Sequence, residues 1–351
     1  MPLLTTTIGA YPKPDYVPII DWFKADGSTV TENPTGHYEN ELALMGDEAE
    51  KIFCRAAADV IADQVKCGID IPTDGEVRRE NYIHYHCRHL QGIDFTNLTE
   101  TVLREGAYKA LLPTITGAVS AKDHFLPHDY LAAQKSTDKA LKVTLPGPMT
   151  IGDTVADEYY FDEKKRGQAL ADALNSEVLA LAEAGCQHIQ IDEPLFARKA
   201  DQALDFGIEN LERAFHGCPE NVTRTMHMCC GYPDCLDSTD YPKAPKESYL
   251  RLARAVDASS INAVSLEDAH RHNDLSLLDM FTQTTVILGV VAIASSRLET
   301  VDEIRTRLLQ ALEHIDADRL MAAPDCGLGM LDRDMVMTKL TNLATAAHGL
   351  S

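Results

Sequence analysis

Short runs of β-branched and other apolar residues alternate along the chain with longer segments in which apolar residues recur every three or four positions. The first pattern is typical of buried strands, and the second is typical of helices that pack one face against a sheet. Eight runs predict strands, at residues 3–9, 69–75, 141–147, 187–192, 221–227, 261–266, 284–291 and 319–324. Helical spacing predicts helices at residues 47–67, 167–184, 201–216, 246–256, 300–314 and 332–347.

Eight strands alternating with helices predict an α/β fold, a (β/α)8 TIM barrel that occupies residues 1–351 as a single domain. A doubly wound open sheet is the alternative, but no glycine-rich dinucleotide-binding turn follows any predicted strand. Residues 76–140 are too long for a simple connection and contain another strand-like run at 114–120. We therefore expect an insertion after the second strand, made of a hairpin and loops that cap one end of the barrel.

Charge and cysteine content narrow the classes of partner and the cellular compartment. The chain has 54 acidic and 32 basic residues and a formal net charge of −22. Nucleic acids and anionic membranes are bound by basic patches, so this charge argues against both as partners. The first ten residues lack a signal-peptide pattern, and the longest uncharged apolar run, 284–296, is too short to cross a bilayer. With nine cysteines in such a chain, we expect reduced thiols and a cytoplasmic location.

Residue types that bind metals follow three of the predicted strands. His227 and Cys229 are two positions apart at a strand end, so their side chains point the same way. Glu267 ends the next strand, and Cys326 follows the last one. One imidazole, two thiolates and one carboxylate suit zinc better than magnesium, calcium or iron. Because these ligands come from separate strand ends of a barrel, they predict a catalytic site and not a zinc finger.

Other histidines and cysteines lie close to this set in the sequence. Cys230 points to the opposite side of an extended chain, and we interpret it and Cys235 as bystanders. Three histidines of the insertion are interpreted as surface or substrate-loop residues and not as a second metal site: His84, His86 and His89. His270 and His272 are expected at a solvated helix start, from which either could reach the barrel mouth.

Carboxylates also follow the predicted strands. Glu76 follows the second strand, and Asp192 and Glu193 end the strand at 187–192. Two structural explanations stay open, an ion pair of Glu76 with a nearby arginine and a helix-capping role for the aspartate. Facing the same cleft, the acids would form an anionic pocket for a substrate ammonium group. Beside a metal, such a pocket suits a thiol-bearing amino acid.

The sequence resembles, nearly end to end, the carboxyl-terminal catalytic barrel of the cobalamin-independent methionine synthase family. The segments that resemble the family's motifs are TTTIGAYPKP (5–14), TDGEVRREN (73–81), LPGPMTI (145–151), IQIDEP (189–194), MHMCC (226–230) and APDCGLG (323–329). The His-x-Cys and Pro-Asp-Cys-Gly motifs, in this order and with an acid between them, are fairly specific. Long members of the family carry two barrels, whereas this chain resembles only the catalytic one.

The resemblance implies methyl transfer to a zinc-bound thiol, with homocysteine giving methionine as the type case. It makes zinc the cofactor and assigns its ligands to His227, Cys229, Glu267 and Cys326. It also implies a substrate-binding set in which carboxylates hold the amino group and backbone contacts the carboxylate: Glu76, Asp192 and the adjacent Glu193, with Ile8 and Gly9.

Some positions depart from the family pattern and bear on the methyl donor. Ala294 stands where the family's proton-donor histidine is expected, so the catalytic acid is not assigned. The tryptophan expected beyond the Gly-Pro turn is missing, and no basic residue follows Cys326 closely. These differences weaken the case for a polyglutamyl folate. A simple folate, a methylated corrinoid protein and a sulfonium compound stay open as donors.

Three other functions compete with this hypothesis. The first is a zinc-dependent alkyltransferase that acts on another thiol or electrophile and resembles epoxyalkane–coenzyme M transferase. The second is a barrel with structural zinc and no catalysis. The third is a decarboxylase related to uroporphyrinogen decarboxylase, against which the acidic barrel mouth argues because that substrate is a polyanion.

Overall fold

A curled sheet of seven parallel strands forms the centre of the fold, which confirms the predicted TIM barrel. The computed structural model describes residues 2–19, 34–103, 108–231, 235–238 and 243–350. The strands of this sheet are β1 (Leu4–Thr5), β4 (Lys142–Pro146), β6 (His188–Asp192), β7 (Thr223–Met228), β8 (Ala263–Glu267), β9 (Thr285–Val291) and β10 (Leu320–Pro324), and their spatial order is β1-β10-β9-β8-β7-β6-β4. Strands β2 (Leu90–Leu103) and β3 (Tyr108–Ala121) lie in the insertion, and β5 (Ala156–Asp157) follows β4.

The prediction of a regular second strand at residues 69–75 is wrong. This segment lies between β1 and β4 and makes only two isolated parallel bridges, from Ile71 to Thr6 and from Thr73 to Lys142. Pro72 between them has no N–H to donate to a ladder, and Gly75 turns the chain with a φ of 70°. The segment thus closes the barrel as a seam. The first strand is also shorter than predicted, because only two residues of 3–9 form a regular ladder.

The helices surround the sheet much as the apolar spacing predicts. The helices are α1 (Pro34–Met45), α2 (Glu48–Lys66), α3 (His84–Cys87), α4 (Leu126–Gln134), α5 (Pro148–Asp153), α6 (Glu163–Glu183), α7 (Leu195–Arg198), α8 (Ala200–Gln202), α9 (Ile208–Ala214), α10 (Glu247–Asp257), α11 (Val301–Ala311) and α12 (Arg333–His348). The segment predicted as one helix at 201–216 is helical from Ala200 to Ala214 and contains a π-helical turn at Ala203–Gly207, between α8 and α9. None of the helices in the described ranges is long and apolar enough to span a membrane.

The inserted hairpin is present after the seam, as predicted. It consists of the antiparallel strands β2 (Leu90–Leu103) and β3 (Tyr108–Ala121), and the short strand β5 (Ala156–Asp157) pairs with β3 in parallel. Two of the insertion's histidines, His84 and His86, are buried, so the surface alternative is wrong for both, whereas a role in a substrate loop stays a prediction. The His84 ring contacts the Thr154 carbonyl at 3.2 Å, and His89 stacks on Phe125.

The interior of the barrel is divided between apolar and polar layers. Ile8, Ala263, Ile287 and Ala323 form a small apolar cluster in the middle of the barrel, with Met321 packed against it. Polar side chains lie at the two ends of the strands. The carboxyl-terminal end carries the predicted site residues.

Candidate active site

Three of the four predicted metal ligands meet at the carboxyl-terminal end of the barrel. The ligand atoms of His227, Cys229 and Cys326 all lie within 4.8 Å of one another. Among the described residues, these three side chains form the one group of His, Cys, Asp or Glu residues that is close enough together to hold a metal ion. Strand β7 supplies His227, Cys229 directly follows this strand, and Cys326 lies in the turn after β10.

The imidazole of His227 is oriented for such a role. Its Nδ1 lies 3.0 Å from the Ser265 hydroxyl, while its Nε2 is buried and has no hydrogen-bond partner among the described residues. A buried polar atom without a partner costs free energy unless something binds it. A hydrogen bond at one ring nitrogen also fixes the tautomer that the other nitrogen presents to a metal. The arrangement fits a histidine ligand.

The thiols of Cys229 and Cys326 interact, so that ionisation of one disfavours ionisation of the other. A hydrogen bond from Cys326 lowers the pKa of Cys229 well below its usual range, and the same interaction raises the pKa of Cys326 well above its own. Only one thiolate is stable there, because two anions so close repel each other. A cation between the sulfurs would remove this conflict. The donor set of one imidazole and two thiols suits zinc or a similarly soft ion.

Glu267 is next to this cluster but is not one of its members. It is buried at the end of β8, and its Oε1 has no hydrogen-bond partner among the described residues. Burial, followed by the charge of Cys229, raises the pKa of Glu267 to about 7. Cys230, interpreted above as a bystander, is buried behind β7, where its thiol and backbone N–H interact with this carboxylate. The role of Glu267 as a ligand stays a prediction.

Asp325 ties the end of β10 to the loop after β8. Its carboxylate accepts hydrogen bonds from the backbone N–H groups of Asp268 and Ala269, both at 2.9 Å, and of His270 at 2.7 Å. Gly289 makes room for this tie, since a Cβ at that position would lie 2.4 Å from the Asp325 carboxylate. The carboxylate of Asp325, the residue before Cys326, therefore holds the backbone that directly follows Glu267.

The two histidines after β8 differ from each other. The Nε2 of His270 accepts hydrogen bonds from the backbone N–H groups of Ile293, at 3.0 Å, and of Ala294, at 3.2 Å. Burial lowers the pKa of His270 to about 4, in keeping with a neutral ring that accepts at Nε2. His272 is largely exposed and lies 3.1 Å from Asp268. The expectation that both begin a solvated helix is wrong, because the segment is a loop and only His272 is solvated.

Glu76 is held in a strained and crowded position beside β1. Its φ of 56° lies in the left-handed region, which costs a non-glycine residue about 1 kcal/mol or more. Its Oε1 accepts hydrogen bonds from Thr144 Oγ1 at 2.6 Å and from Arg79 Nη1 at 3.1 Å. A Cβ on Gly9 would lie 2.4 Å from the same oxygen. The sequence left open that Glu76 only forms an ion pair with a nearby arginine; in the structure that arginine is Arg79.

Asp192 shares its surroundings with the first strand. Gln190 Nε2 donates to Asp192 Oδ1 at 2.7 Å and to the Ile8 carbonyl at 2.9 Å. Burial raises the pKa of Asp192 to about 7; His227 lowers it and Glu76 raises it further. Asp192 thus lies within electrostatic reach of Glu76 and of the group formed by His227, Cys229 and Cys326, which we call the metal cluster because it could hold a metal.

Glu193 lies beside Asp192 in the sequence but has a different position. Its Oε1 accepts from the backbone N–H of Met149 at 2.9 Å, and its Oε2 accepts from the backbone N–H of Thr150 at 3.0 Å and from the hydroxyl at 2.8 Å. It therefore caps the N-terminus of α5, and the capping residue is this glutamate and not the aspartate. Gly147 permits the contact, because a Cβ there would lie 2.2 Å from the carboxylate. These contacts give no support to the prediction that Glu193 binds substrate.

The sequence analysis did not single out Tyr82. Burial raises its pKa well above the usual range, and the charges of Asp192, Cys229, Cys326 and Glu76 raise it further. The phenol therefore lies among the acids and the metal cluster. Its place in the insertion, six positions after Glu76, was the available signal, but an aromatic residue there also fits a packing role.

The chain was then compared with known proteins. The family model described as "Cobalamin-independent synthase, Catalytic domain" matches residues 3–349. The chain belongs to this family. The methionine synthase of Saccharolobus solfataricus is 29% identical over 98% of this chain and 93% of that protein. The methionine synthase of Sulfolobus acidocaldarius is 27% identical over 97% and 90%.

Solved structures agree with this assignment. A B12-independent methionine synthase from Shewanella sp. W3-18-1, in complex with selenomethionine, superposes with a TM-score of 0.85 at 30% identity, covering 99% of this chain and 97% of that one. A putative vitamin-B12-independent methionine synthase from Listeria monocytogenes shares the fold at a TM-score of 0.72 and 18% identity, over 100% and 98% of the two chains.

Proposed function

We propose that the chain is a zinc-dependent methyltransferase that transfers a methyl group to the thiol of homocysteine and forms methionine. The observation that carries the proposal is the position of a His-Cys-Cys cluster near the buried carboxylates of Glu76 and Asp192, the second of which lies opposite His227 on the neighbouring strand. His227, Cys229 and Cys326 would hold the zinc, and Glu267 is the candidate for the fourth ligand. Bound zinc would keep a coordinated thiol ionised at neutral pH, where a free thiol with a pKa of about 8.5 is mostly protonated.

The pocket beside the cluster suits the amino-acid end of homocysteine. Glu76 and Asp192 supply carboxylates for the ammonium group, and each is held by neighbouring side chains before substrate binds. Among the described residues, the backbone N–H groups of Ile8 and Gly9 donate to no backbone carbonyl, and we assign them to the substrate carboxylate. Preorganised groups of this kind lower the entropy cost of orienting the substrate thiol. The complex of the Shewanella relative with selenomethionine supports an amino acid of this length.

The coenzyme M alternative is not favoured by the same pocket. A sulfonate-bearing thiol has no ammonium group to pair with Glu76 and Asp192, and its anionic end would be repelled by them. Homocysteine and 4-mercaptobutyrate, which lacks the amino group, provide a matched pair of ligands. We expect zinc-loaded protein to prefer homocysteine, and Glu76→Gln to reduce that preference by about tenfold, a factor that corresponds to about 1.4 kcal/mol.

The structure also bears on the methyl donor. The Nε2 of His270 accepts a hydrogen bond from the Ala294 N–H, so this nitrogen cannot also donate a proton beside residue 294. We infer that the departing group of the donor takes no proton from residue 294 or from His270 Nε2. A methylated corrinoid protein or a sulfonium compound meets this condition better than a folate, whose departing nitrogen needs a proton.

The test is to incubate zinc-loaded protein with homocysteine and each donor class, and to measure methionine by mass spectrometry. Cys326→Ser should lower the zinc content and abolish product, whereas Cys235→Ser, a change at an exposed thiol outside the cluster, should alter neither. Absence of methionine with every donor, from protein that contains one zinc per chain, would refute the proposed reaction. Full zinc content in Cys326→Ser would refute the proposed ligand set.

A further inference from the structure

The side chain of Gln190 joins the two parts of the pocket proposed for the amino-acid end of the substrate, which we call the acid pocket. Glu76 and Asp192 form its ammonium side, and the Ile8–Gly9 backbone forms its carboxylate side. Gln190 Nε2 donates to Asp192 Oδ1 at 2.7 Å and to the Ile8 carbonyl at 2.9 Å. One amide group therefore contacts both sides of the pocket.

The chemistry of its two neighbours determines which way this amide faces. A carboxylate oxygen and a backbone carbonyl can only accept, so the nitrogen end of the amide must face both of them. A turned amide would bring its own oxygen against two acceptors. Gln190 keeps the observed orientation although its Oε1 is buried and has no hydrogen-bond partner among the described residues, which costs free energy. The two contacts of Nε2 thus decide the position of this side chain.

The Ile8–Gly9 backbone depends on side chains because it lies beyond the regular part of β1. The neighbouring seam at 69–75 makes only isolated bridges. Gln190 Nε2 holds the Ile8 carbonyl instead, and Thr73 Oγ1 holds the Gly9 carbonyl at 2.7 Å. The carbonyl of Ile8 and the N–H of Gly9 belong to one planar peptide unit. The bond from Gln190 therefore also fixes the direction of the N–H that is assigned to the substrate carboxylate.

Gln190 makes this contact across the barrel and not between neighbouring strands. Strand β6, which carries Gln190, pairs with β7 and β4, and the seam lies between β4 and β1. A side chain that reaches from β6 to the end of β1 must therefore pass β4 and the seam. The bond ties the two sides of the acid pocket directly, without relying on the irregular part of the barrel wall.

We propose that Gln190 is a positioning residue that sets the separation between the ammonium and carboxylate sites, and so makes the pocket selective for thiols that carry both groups on one carbon atom. This inference rests on the proposed function, because it takes Asp192 and Gly9 as contacts of a thiol-bearing amino acid. Gln190 is fully buried, so it acts through these two groups and not by touching the substrate. Two sites held at a fixed separation reject a ligand whose charged groups lie farther apart.

Two thiols that differ by one methylene test the proposal. In 3-amino-5-mercaptopentanoate the spacing between thiol and amine is that of homocysteine, but the carboxylate lies one carbon farther from the amine. We expect zinc-loaded wild-type chain to bind homocysteine at least about tenfold more tightly in isothermal titration, the equivalent of one hydrogen bond to a charged group. Gln190→Met keeps the length of the side chain and removes its donors. It should weaken homocysteine about tenfold, leave the longer thiol little affected and leave the zinc content unchanged.

Gln134→Met is the matched control. Gln134 Nε2 also donates to two carbonyls, those of Thr137 and Lys139, both at 2.9 Å, near the start of β4 and therefore at the opposite end of that strand from the acid pocket. This variant should leave both affinities unchanged. Equal weakening of the two thiols in Gln190→Met, as expected from a merely structural role, or an unchanged preference for homocysteine would overturn the assignment. A wild-type chain that does not prefer homocysteine to 4-mercaptobutyrate would instead refute the proposed function, and this inference with it.

A crystal structure of the zinc-loaded wild-type chain with bound methionine keeps the proposal refutable if Gln190→Met folds poorly. We expect Gln190 Nε2 to stay hydrogen-bonded to both Asp192 and Ile8, with the methionine ammonium group on Asp192 and its carboxylate on the Gly9 N–H. Loss of either contact of Gln190 in the complex, or a methionine carboxylate that does not contact the Gly9 N–H, would overturn the assignment.

Discussion

The contact between Gly9 and Glu76 allows a test of the acid pocket that leaves every charged group in place. In Gly9→Ala the new Cβ would lie 2.4 Å from Glu76 Oε1, whereas Cβ contacts below 3.0 Å are essentially never seen. The oxygen must therefore retreat by about 0.6 Å, the difference between these two distances. Because the same oxygen accepts from both Thr144 and Arg79, a shift of this size lengthens or breaks at least one of the two bonds.

The size of the effect follows from the loss of one such bond. A hydrogen bond to a charged group contributes about 1.5–3 kcal/mol, which corresponds to about ten- to a hundredfold in affinity. If Glu76 binds the ammonium group, the displaced carboxylate should weaken homocysteine binding to zinc-loaded protein by a factor in this range. Isothermal titration measures this, with 4-mercaptobutyrate as the ligand that should be affected little. Gly117→Ala is the control, because a Cβ there meets only the Gly92 Cα at 3.8 Å.

A double-mutant cycle identifies Glu76 as the group through which Gly9→Ala acts. In the Glu76→Ala background the obstructing carboxylate is absent, so Gly9→Ala should cost much less there than in the wild-type background. Full additivity of the two changes, or homocysteine binding to Gly9→Ala within a factor of two of wild type, would refute the reasoning.

Three other variants test the supports of the site. Ser265→Ala removes the hydrogen bond that orients His227 and should lower zinc affinity about 10- to 100-fold. Competition with a chromophoric chelator measures this affinity, and an unchanged value would mean that the hydroxyl does not position the ring. Glu193→Gln should destabilise the chain by about 1–3 kcal/mol without changing homocysteine affinity, and altered affinity would restore the substrate-binding prediction. Burial raises the pKa of Glu193 to about 8, so between pH 4.5 and 8 the folded state binds a proton that the unfolded state has lost. This contribution to stability is therefore lost as pH rises through that range, and the melting temperature of Glu193→Gln should depend less on pH than that of the wild-type chain. Lys339→Met leaves the buried Glu299 unpaired and should lower the free energy of unfolding by about 3–5 kcal/mol, with Lys339→Met/Glu299→Gln less affected; equal losses would show that the pair is not the cause.

The barrel was predictable because each strand carries its own apolar signal and parallel strands end at a common face. His227 and Cys229 follow from this rule, since a spacing of two at a strand end places both side chains on one side. The place of Cys326 follows from closure of the barrel, because β10, the last strand, belongs to the same sheet as β7. At the seam, 69–75, Pro72 is the local signal against a regular ladder, but the flanking residues favour a strand and outweighed it.

The direction of a carboxylate at a strand end could not be predicted. Asp192 and Glu193 are adjacent and of similar chemistry, yet one lies among the charges of the metal cluster and the other caps α5. What separates them is the absence of a side chain at Gly147, which lets Glu193 reach the first turn of that helix. The relevant contact joins residues more than forty positions apart, and a single sequence contains no measure of it.

The position of Cys326 relative to the predicted ligands at the ends of β7 and β8 depends on a network of side chains outside the predicted ligand set. Asp325 holds the backbone after Glu267, and His270 from that same backbone holds the end of β9. Lys339 and Glu299 then hold the loop that follows, since Lys339 donates to the Ala292 and Arg297 carbonyls and Glu299 accepts from the Ala292 N–H. Three neighbouring strand ends are therefore fixed to one another by side chains whose polar groups are mostly buried. Because a thiol from β10 must meet an imidazole from β7 within a few ångströms, this rigidity allows ligands a hundred residues apart to form one site.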